Sequence, residues 1–473
     1  MSHRNGGEGD IAITGMACLF PGAPDIETFW QNILSRVDSV TDPPPEAPDS
    51  DFFYDPDSTA NDRVYCKKGG YLGDLARFDP LEHGVMPLAV QGGEPDQWLA
   101  LKVAREALKD AGYGEEIPER DRTGVILGKG TYLNRGNLSV VQHGKMVDQT
   151  IEILKVLHPQ LTTEDHALLR SEFKKRLPPL NPDTVPGLIP NIIAGRIANR
   201  LDLKGPSYTV DGACASSLIA LDMAVRDLLS GQLDLAVVGG SHVTTPVQVM
   251  MLFCQLGALS RRERIRPFDR NADGTVLGEG LGVIVVKRLA DARKAGDRIY
   301  AVVKGVGVSS DGRGLSVMAP RLEGEVLALR RAYEKAGVSP DTVDLIEAHG
   351  TGTPVGDVTE VRSLTEVFGK RNGGPPRVAL GSVKSMVGHL MPAAGIAGTI
   401  KTALALHHRV VPPTLHCEEP NPELDLGKTP FFVASEARPW IHGSGRSPRR
   451  AGVNSFGFGG INAHAILEET ADA

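Results

Sequence analysis

The stretch Tyr208-Thr-Val-Asp-Gly-Ala-Cys214-Ala-Ser-Ser-Leu218 reads as an extended segment, a Gly-Ala turn and the first turn of a helix. Leu218, Leu221, Val225 and Leu228 then recur on one helical face. A strand that turns straight into a helix is the repeating unit of α/β proteins with mainly parallel strands. Working outward, short β-branched runs predict strands at Ile11–Thr14, Thr123–Leu127, Leu235–Gly239, Gly282–Lys287, Ala301–Val308, Val343–Glu347 and Arg377–Gly381. Helical patterns lie between them. Asp96 is expected to cap a helix that carries Leu101, Ala104, Leu108 and Ala111 and stops at Gly112. Val326, Leu329 and Tyr333 repeat that periodicity before Gly337.

Two stretches break the rhythm, the Pro- and Asp-rich 42–62 and the polar, helical-looking 131–190, and both read as elaborations outside the core. No Ser/Gly linker divides the chain, so residues 1–473 are expected to form one domain. Its N-terminal half, about 10–289 with the insertion at about 131–190, and its C-terminal half, about 299–469, offer a similar succession of strands and helices.

The chain has 473 residues, 51 Lys+Arg against 58 Asp+Glu and a formal net charge of −7, a balance that argues against a nucleic-acid binder. No apolar run approaches the roughly 18 residues that cross a bilayer, so no membrane span is expected. Five cysteines without a Cys-x-x-Cys pair favour neither a disulfide framework nor a thiolate metal site, and suit a reducing cytosol. His407, His408 and His416 lack metal-ligand spacing, and no metal is assigned.

Three segments carry the chemistry. Cys214 is placed at a helix N-terminus, where free N–H groups and the dipole lower a thiol pKa and can hold an oxyanion. The alternative is a buried cysteine that serves as a small apolar residue. Leu345-Ile-Glu347-Ala-His349-Gly-Thr351-Gly-Thr353-Pro-Val-Gly-Asp357 delivers His349 from a strand end into a Gly- and Thr-rich loop, where α/β sheets present ligands. A helix-capping loop is the plainer reading. Val378-Ala-Leu-Gly-Ser-Val-Lys384-Ser-Met-Val-Gly-His389-Leu-Met-Pro-Ala-Ala-Gly395 again feeds a turn, then a helix of small residues that can be packed on all sides. Lys384 and His389 are then buried, either in chemistry or as a Lys–Glu pair and a core histidine. A nucleophile with two histidines from separate strand ends suits a thiolate plus two N–H donors or proton carriers. The 135-residue step from Cys214 to His349 matches papain-like spacing, but the sequence around the cysteine does not, and a second His loop has no use in a protease.

These segments resemble the β-ketoacyl synthases, the condensing enzymes of fatty acid and polyketide assembly. Asp211-Gly-Ala-Cys214-Ala-Ser-Ser, Glu347-Ala-His349-Gly-Thr-Gly-Thr353 and Lys384-Ser-Met-Val-Gly-His389 are similar to that family's nucleophile, first-histidine and lysine–histidine motifs. Arg266-Pro-Phe-Asp-Arg-Asn-Ala-Asp-Gly274, Gly278-Glu279-Gly280 and Asn454-Ser-Phe-Gly-Phe458-Gly-Gly-Ile-Asn-Ala-His464 support the likeness, which spans nearly the whole chain. The resemblance implies a thiolase-like α/β fold, two duplicated halves in five αβαβα layers, usually as a homodimer. It implies that Cys214 takes an acyl chain from the phosphopantetheine arm of an acyl carrier protein, and that decarboxylated malonyl attacks the thioester. No cofactor is bound in that scheme. His349 and His389 would serve the malonyl thioester oxygen, with Lys384 on the His349 side and Glu347 or Glu279 nearby. The backbone N–H groups of Cys214 and Phe458 would form the oxyanion hole, and Thr351 and Thr353 would hold the pantetheine. The chain would act alone or beside other domains of a megasynthase.

Departures from the family pattern point to a subtype. Gly212 and Ala215 replace the common Thr and Ser around the nucleophile, and Glu94-Pro-Asp-Gln-Trp98 replaces Asp-Pro-Gln-Gln-Arg. With Gly-Gly-Ile-Asn-Ala-His, this looks like the iterative polyene-forming synthases of enediyne biosynthesis, antibiotic-pathway relatives of polyunsaturated fatty acid synthases. Ordinary modular synthases stand as the alternative, as do an acyltransferase or thioester hydrolase using Cys214 without decarboxylation and a non-elongating chain-length-factor partner. The last loses the cysteine, which is present here. Arg261-Arg-Glu-Arg264 and Arg446-Ser-Pro-Arg449-Arg450 are either a dock for an acidic carrier or solvated faces.

Overall fold

The computed structural model describes residues 9–470 except 46–48, 92, 115, 131, 179, 315, 372 and 442–446, so Arg446 and the first residue of the insertion lie outside the described residues. Thirteen strands are described: β1 Ile11–Leu19, β2 Thr123–Lys129, β3 Ser207–Val210, β4 Leu235–His242, β5 Gly280–Arg288, β6 Ala301–Ser310, β7 Leu345–Glu347, β8 Val378–Gly381, β9 Val410–Val411, β10 Phe431–Val433, β11 Arg438–Pro439, β12 Arg450–Gly457 and β13 Ile461–Glu468. All seven strands expected from the sequence are among them. Apart from the β11–β9 pair, they form one sheet in the order β10-β8-β7-β12-β13-β6-β1-β5-β4-β2-β3.

That order contains one pattern twice. In the N-terminal half it is β3-β2-β4-β5-β1, with β3, β2 and β4 parallel and β5 antiparallel to both β4 and β1. In the C-terminal half β8-β7-β12-β13-β6 repeats both order and direction, and β10 is added at the edge. The halves join through a short antiparallel pairing of Ile11–Ile13 with Ala301–Val303. The strands are apolar on both faces, as burial between helical layers demands: every residue of β1 and β4 is buried.

Six helices complete the layers: α1 Pro95–Asp110, α2 Ile192–Leu201, α3 Ser216–Leu229, α4 Leu322–Ala336, α5 Pro354–Phe368 and α6 Ala394–His408. Helix α1 packs on β1, β5 and α2; α4 packs on β6, β13 and α5. Between the two half-sheets, α3 and α6 touch each other and strands of both halves. The result is the expected thiolase-like α/β architecture with five layers. Residues Ala394 to Leu406 of α6 are all buried, which explains its small residues. A Cβ on Gly395 would come within 2.8 Å of Leu218 Cγ, so glycine lets the two central helices meet.

One cap differs from its sequence reading. Helix α1 starts at Pro95 with Glu94 as the preceding residue, and Asp96 lies inside the first turn, buried and paired with Lys129. Proline at the first helical position fixes the start more strongly than a cap two residues later. The region 131–190 contains helices at Arg135–Val141, Val147–Leu157 and Thr163–Arg176. Among the described residues no helix is long and apolar enough to cross a membrane.

Candidate active site

Three loops at the ends of β3, β7 and β8 converge on one cavity of about 270 Å³, lined by Cys214, His349, His389, Thr351, Thr353, Phe253, Phe456 and Phe458 among others. Cys214 follows Ala213, whose φ of 49° places a non-glycine residue in the left-handed region. Three contacts hold this sharp elbow. The Gly212 N–H donates to Ser216 Oγ (2.9 Å), the Ser216 hydroxyl to the Ala213 carbonyl (2.6 Å) and the Ser455 hydroxyl to the Cys214 carbonyl (2.6 Å). The sulfur is thereby presented just ahead of α3.

Burial pushes the Cys214 thiol up to about 11. The nearby Lys384 ammonium and the backbone N–H groups of Phe458 and Cys214 pull it the other way without winning. The thiol is therefore raised rather than lowered as expected, because desolvation of the buried sulfur outweighs the Lys384 charge and the two N–H groups. The same two N–H groups are those expected to form an oxyanion hole, and they stand beside the sulfur.

The histidine rings meet edge to face with centroids 5.4 Å apart. Burial, then the Lys384 charge, hold both well below the ordinary histidine range, so both are neutral at physiological pH. His389 Nδ1 accepts the Met391 N–H (3.2 Å), which puts its proton on Nε2. Lys384 is buried; desolvation lowers its pKa against the pull of Glu347, Glu360, Cys214 and Asp357. Thr351 and Thr353 line the cavity with their hydroxyls 2.9 Å apart.

Of the two carboxylates expected near Lys384, Glu347 acts on its charge, whereas Glu279 is held elsewhere. Glu347 accepts the Val383 N–H (2.7 Å) and lies 2.7 Å from Lys401 Nζ, deep in α6. Glu279 accepts the N–H groups of Leu72 (3.2 Å) and Thr245 (3.0 Å), a brace between two loops. The carboxylate that supports the His349 loop is Glu360, which accepts the N–H groups of His349 (2.6 Å) and Gly350 (2.8 Å) and the Asn454 amide (2.8 Å). Asp357, one turn earlier on α5, takes the Phe268 N–H (2.7 Å) and is pushed up to about 7 by burial. Asp357 and Glu360 were missed; acids three residues apart among the buried Val358, Val361 and Leu364 were the available signal.

The basic clusters are mostly occupied. Arg449 binds Glu469 (2.7 Å) and Arg450 binds Glu468 (2.6 Å), tying β12 to β13 and the residue beyond it. Arg261 lies over the Tyr65 ring and donates to the Pro56 carbonyl (2.9 Å). Arg262 is exposed.

A buried thiol flanked by two N–H groups, facing two neutral imidazoles and a buried ammonium, can form a thioester and stabilise an enolate. Comparison with known proteins identifies the family. Residues 8–292 match the family description "Beta-ketoacyl synthase, N-terminal domain", residues 300–418 its C-terminal domain, and residues 420–473 "Ketoacyl-synthetase C-terminal extension". The chain is 37% identical to one component of the polyunsaturated fatty acid synthase of Thraustochytrium sp. over 98% of its own length and 17% of that protein's. It is 36% identical to Polyketide synthase PksN of Bacillus subtilis over 97% of its length and 8% of that protein's, so it spans a small part of each. The ketosynthase from module 6 of the bacillaene synthase of Bacillus subtilis superposes with a TM-score of 0.83 at 33% identity, covering 98% of this chain and 72% of that one. An oxazolomycin ketosynthase domain of Streptomyces albus JA3453 gives 0.84 at 32%, covering 98% and 74%.

Proposed function

The chain belongs to the β-ketoacyl synthase family, and from that premise we propose that it catalyses decarboxylative Claisen condensation on carrier-bound substrates. The observation that carries this reading is the shared cavity of Cys214, His349 and His389. In the first half-reaction the Cys214 sulfur attacks an acyl thioester on the phosphopantetheine of a carrier, and the carrier thiol leaves with the cysteine's proton. The N–H groups of Cys214 and Phe458 hold the tetrahedral oxyanion. In the second, a malonyl thioester occupies the same arm site, held at Thr351 and Thr353, and its carboxylate departs as CO₂. The electron pair left behind forms an enolate whose oxygen accepts hydrogen bonds from the two imidazoles. Its carbon attacks the Cys214 thioester; the sulfur leaves as thiolate, takes a proton, and a β-ketoacyl carrier is released.

Neutral histidines suit this task, because donors that carry no charge strengthen as enolate charge grows. Lys384 adds a fixed positive charge within reach of the sulfur and both rings. The substituted nucleophile motif, with Gly212 and Ala215, and the likeness to a polyunsaturated fatty acid synthase favour an iterative, polyene-forming synthase of the enediyne type. Two copies would pair through the free edge of β3, which ends the large sheet beside the insertion. That insertion exposes Ile153, Val156, Leu157 and Leu168, an apolar surface suited to a homodimer.

The test is incubation with acyl- and malonyl-carrier proteins. CO₂ release with a product two carbons longer supports the reading. Acyl transfer or hydrolysis without CO₂ makes the chain an acyltransferase or hydrolase. Product mass after many turnovers separates iterative from single extension.

A further inference from the structure

We propose that His464 is a positioning residue for His349, acting through Asn454 and Glu360. His464 is fully buried on β13, directly opposite Asn454 on the antiparallel β12, and its Nδ1 lies 2.6 Å from Asn454 Oδ1. The Asn454 amide donates through Nδ2 to Glu360 Oε1 (2.8 Å). The same oxygen accepts the His349 N–H (2.6 Å), while Oε2 accepts that of Gly350 (2.8 Å).

The chemistry of each link fixes the next. A carboxylate that receives three N–H groups only accepts, so Asn454 must turn its NH₂ toward Glu360 and its carbonyl oxygen toward His464. That oxygen also only accepts, so His464 carries its proton on Nδ1. Burial keeps the ring neutral by holding its pKa down to about 3. Nε2 is left buried and without a partner among the described residues, a cost tolerated for an orientation that only Nδ1–H provides. The chain makes room for the ring: a Cβ on Gly452 would stand 2.5 Å from His464 Cε1. Without the Nδ1–H donor, Asn454 can rotate its oxygen onto Glu360, and the carboxylate then loses a donor and its grip on the His349 main chain.

This inference rests on the condensing reading above, and two variants separate the two. His464→Leu fills similar space and cannot donate; His464→Asn places an amide N–H close to where Nδ1–H stands. Both lose the ring contact with Tyr333, so packing loss is common to them. With malonyl-carrier as the probe, His464→Leu should release CO₂ about ten- to a hundredfold more slowly, as expected for a misplaced catalytic group. Cys214 should still acquire the acyl group at close to the wild-type rate, and His464→Asn should recover most of the CO₂ release. Asn454→Leu should give the same loss, and the double variant with His464→Leu no further loss. If His464→Leu fails to fold, Asn454→Leu carries the test against Asn454→Gln. Equal CO₂ release by the Leu and Asn variants, or equal loss of loading and CO₂ release, overturns the proposal. Absence of CO₂ release from wild type overturns the condensing reading instead.

Discussion

In the N-terminal half, β3 leads through Ala213, with φ 49°, to Cys214 and then to α3, which begins at Ser216. In the C-terminal half, the segment after β8 leads through Met391, with φ 52°, to Pro392 and then to α6, which begins at Ala394. Both halves make the same left-handed elbow the same distance before a central helix, yet one presents a thiol and the other a proline. The C-terminal segment is longer, and its extra residues hold Lys384 and His389. The duplicated halves therefore share an architecture and divide the site residues: one carries Cys214, the other Lys384 and, with the β7 loop, both imidazoles.

The largest expected effect breaks this division at the sulfur. Cys214→Ala should abolish acyl loading, read as a missing mass shift on the intact protein. Adding Pro392→Cys to that variant should not restore it, because the pair of N–H groups from residues 214 and 458 stands only at the first elbow. Next comes the buried pair that ties α6 to β7. Lys401→Met removes the buried ammonium 2.7 Å from Glu347 and should cost about 3–5 kcal/mol of stability by denaturant titration. Met223→Leu, at the corresponding turn of α3, should cost less than about 1.5 kcal/mol.

His389→Ala should still load an acyl group but condense some 10²–10³-fold more slowly, about 3–4 kcal/mol of transition-state stabilisation. A variant that loses both half-reactions equally would erase the distinction between the halves. Ala213→Val places a β-branched residue at positive φ and should lower stability by about 1–3 kcal/mol, measured by thermal unfolding.

The smallest effect sharpens the electrostatics. With the thiol near 11, its thiolate fraction rises roughly tenfold per pH unit at neutral pH, and Cys214 alkylation by iodoacetamide should rise with it. Lys384→Met removes a charge that lowers the thiol pKa, so alkylation should slow at every pH below that point.

Most of the fold was legible because buried parallel strands announce themselves as β-branched runs, and because glycines mark where helices stop, as Gly337 does after α4. The residues that line the shared cavity were legible because each sits in a short motif at a strand end. Their supports were not. Glu360 reaches the His349 loop from the next helix, Asn454 and His464 come from strands far along the chain, and Lys401 is disguised among the alanines of α6. Such pairings exist only once the sheet is assembled. Glu279 was placed near the site by the family resemblance, although it braces Leu72 and Thr245. The thiol pKa was misjudged for a related reason: a helix N-terminus is visible in sequence, while complete desolvation is a property of the packed core.

The most direct test weighs the intact protein after acyl-carrier is added and again after malonyl-carrier. The shared-cavity mechanism predicts one acyl adduct on Cys214 that disappears in the second step as a β-ketoacyl group, two carbons longer, appears on the carrier. An adduct on another residue, or one on Cys214 that persists while CO₂ is released, would contradict it.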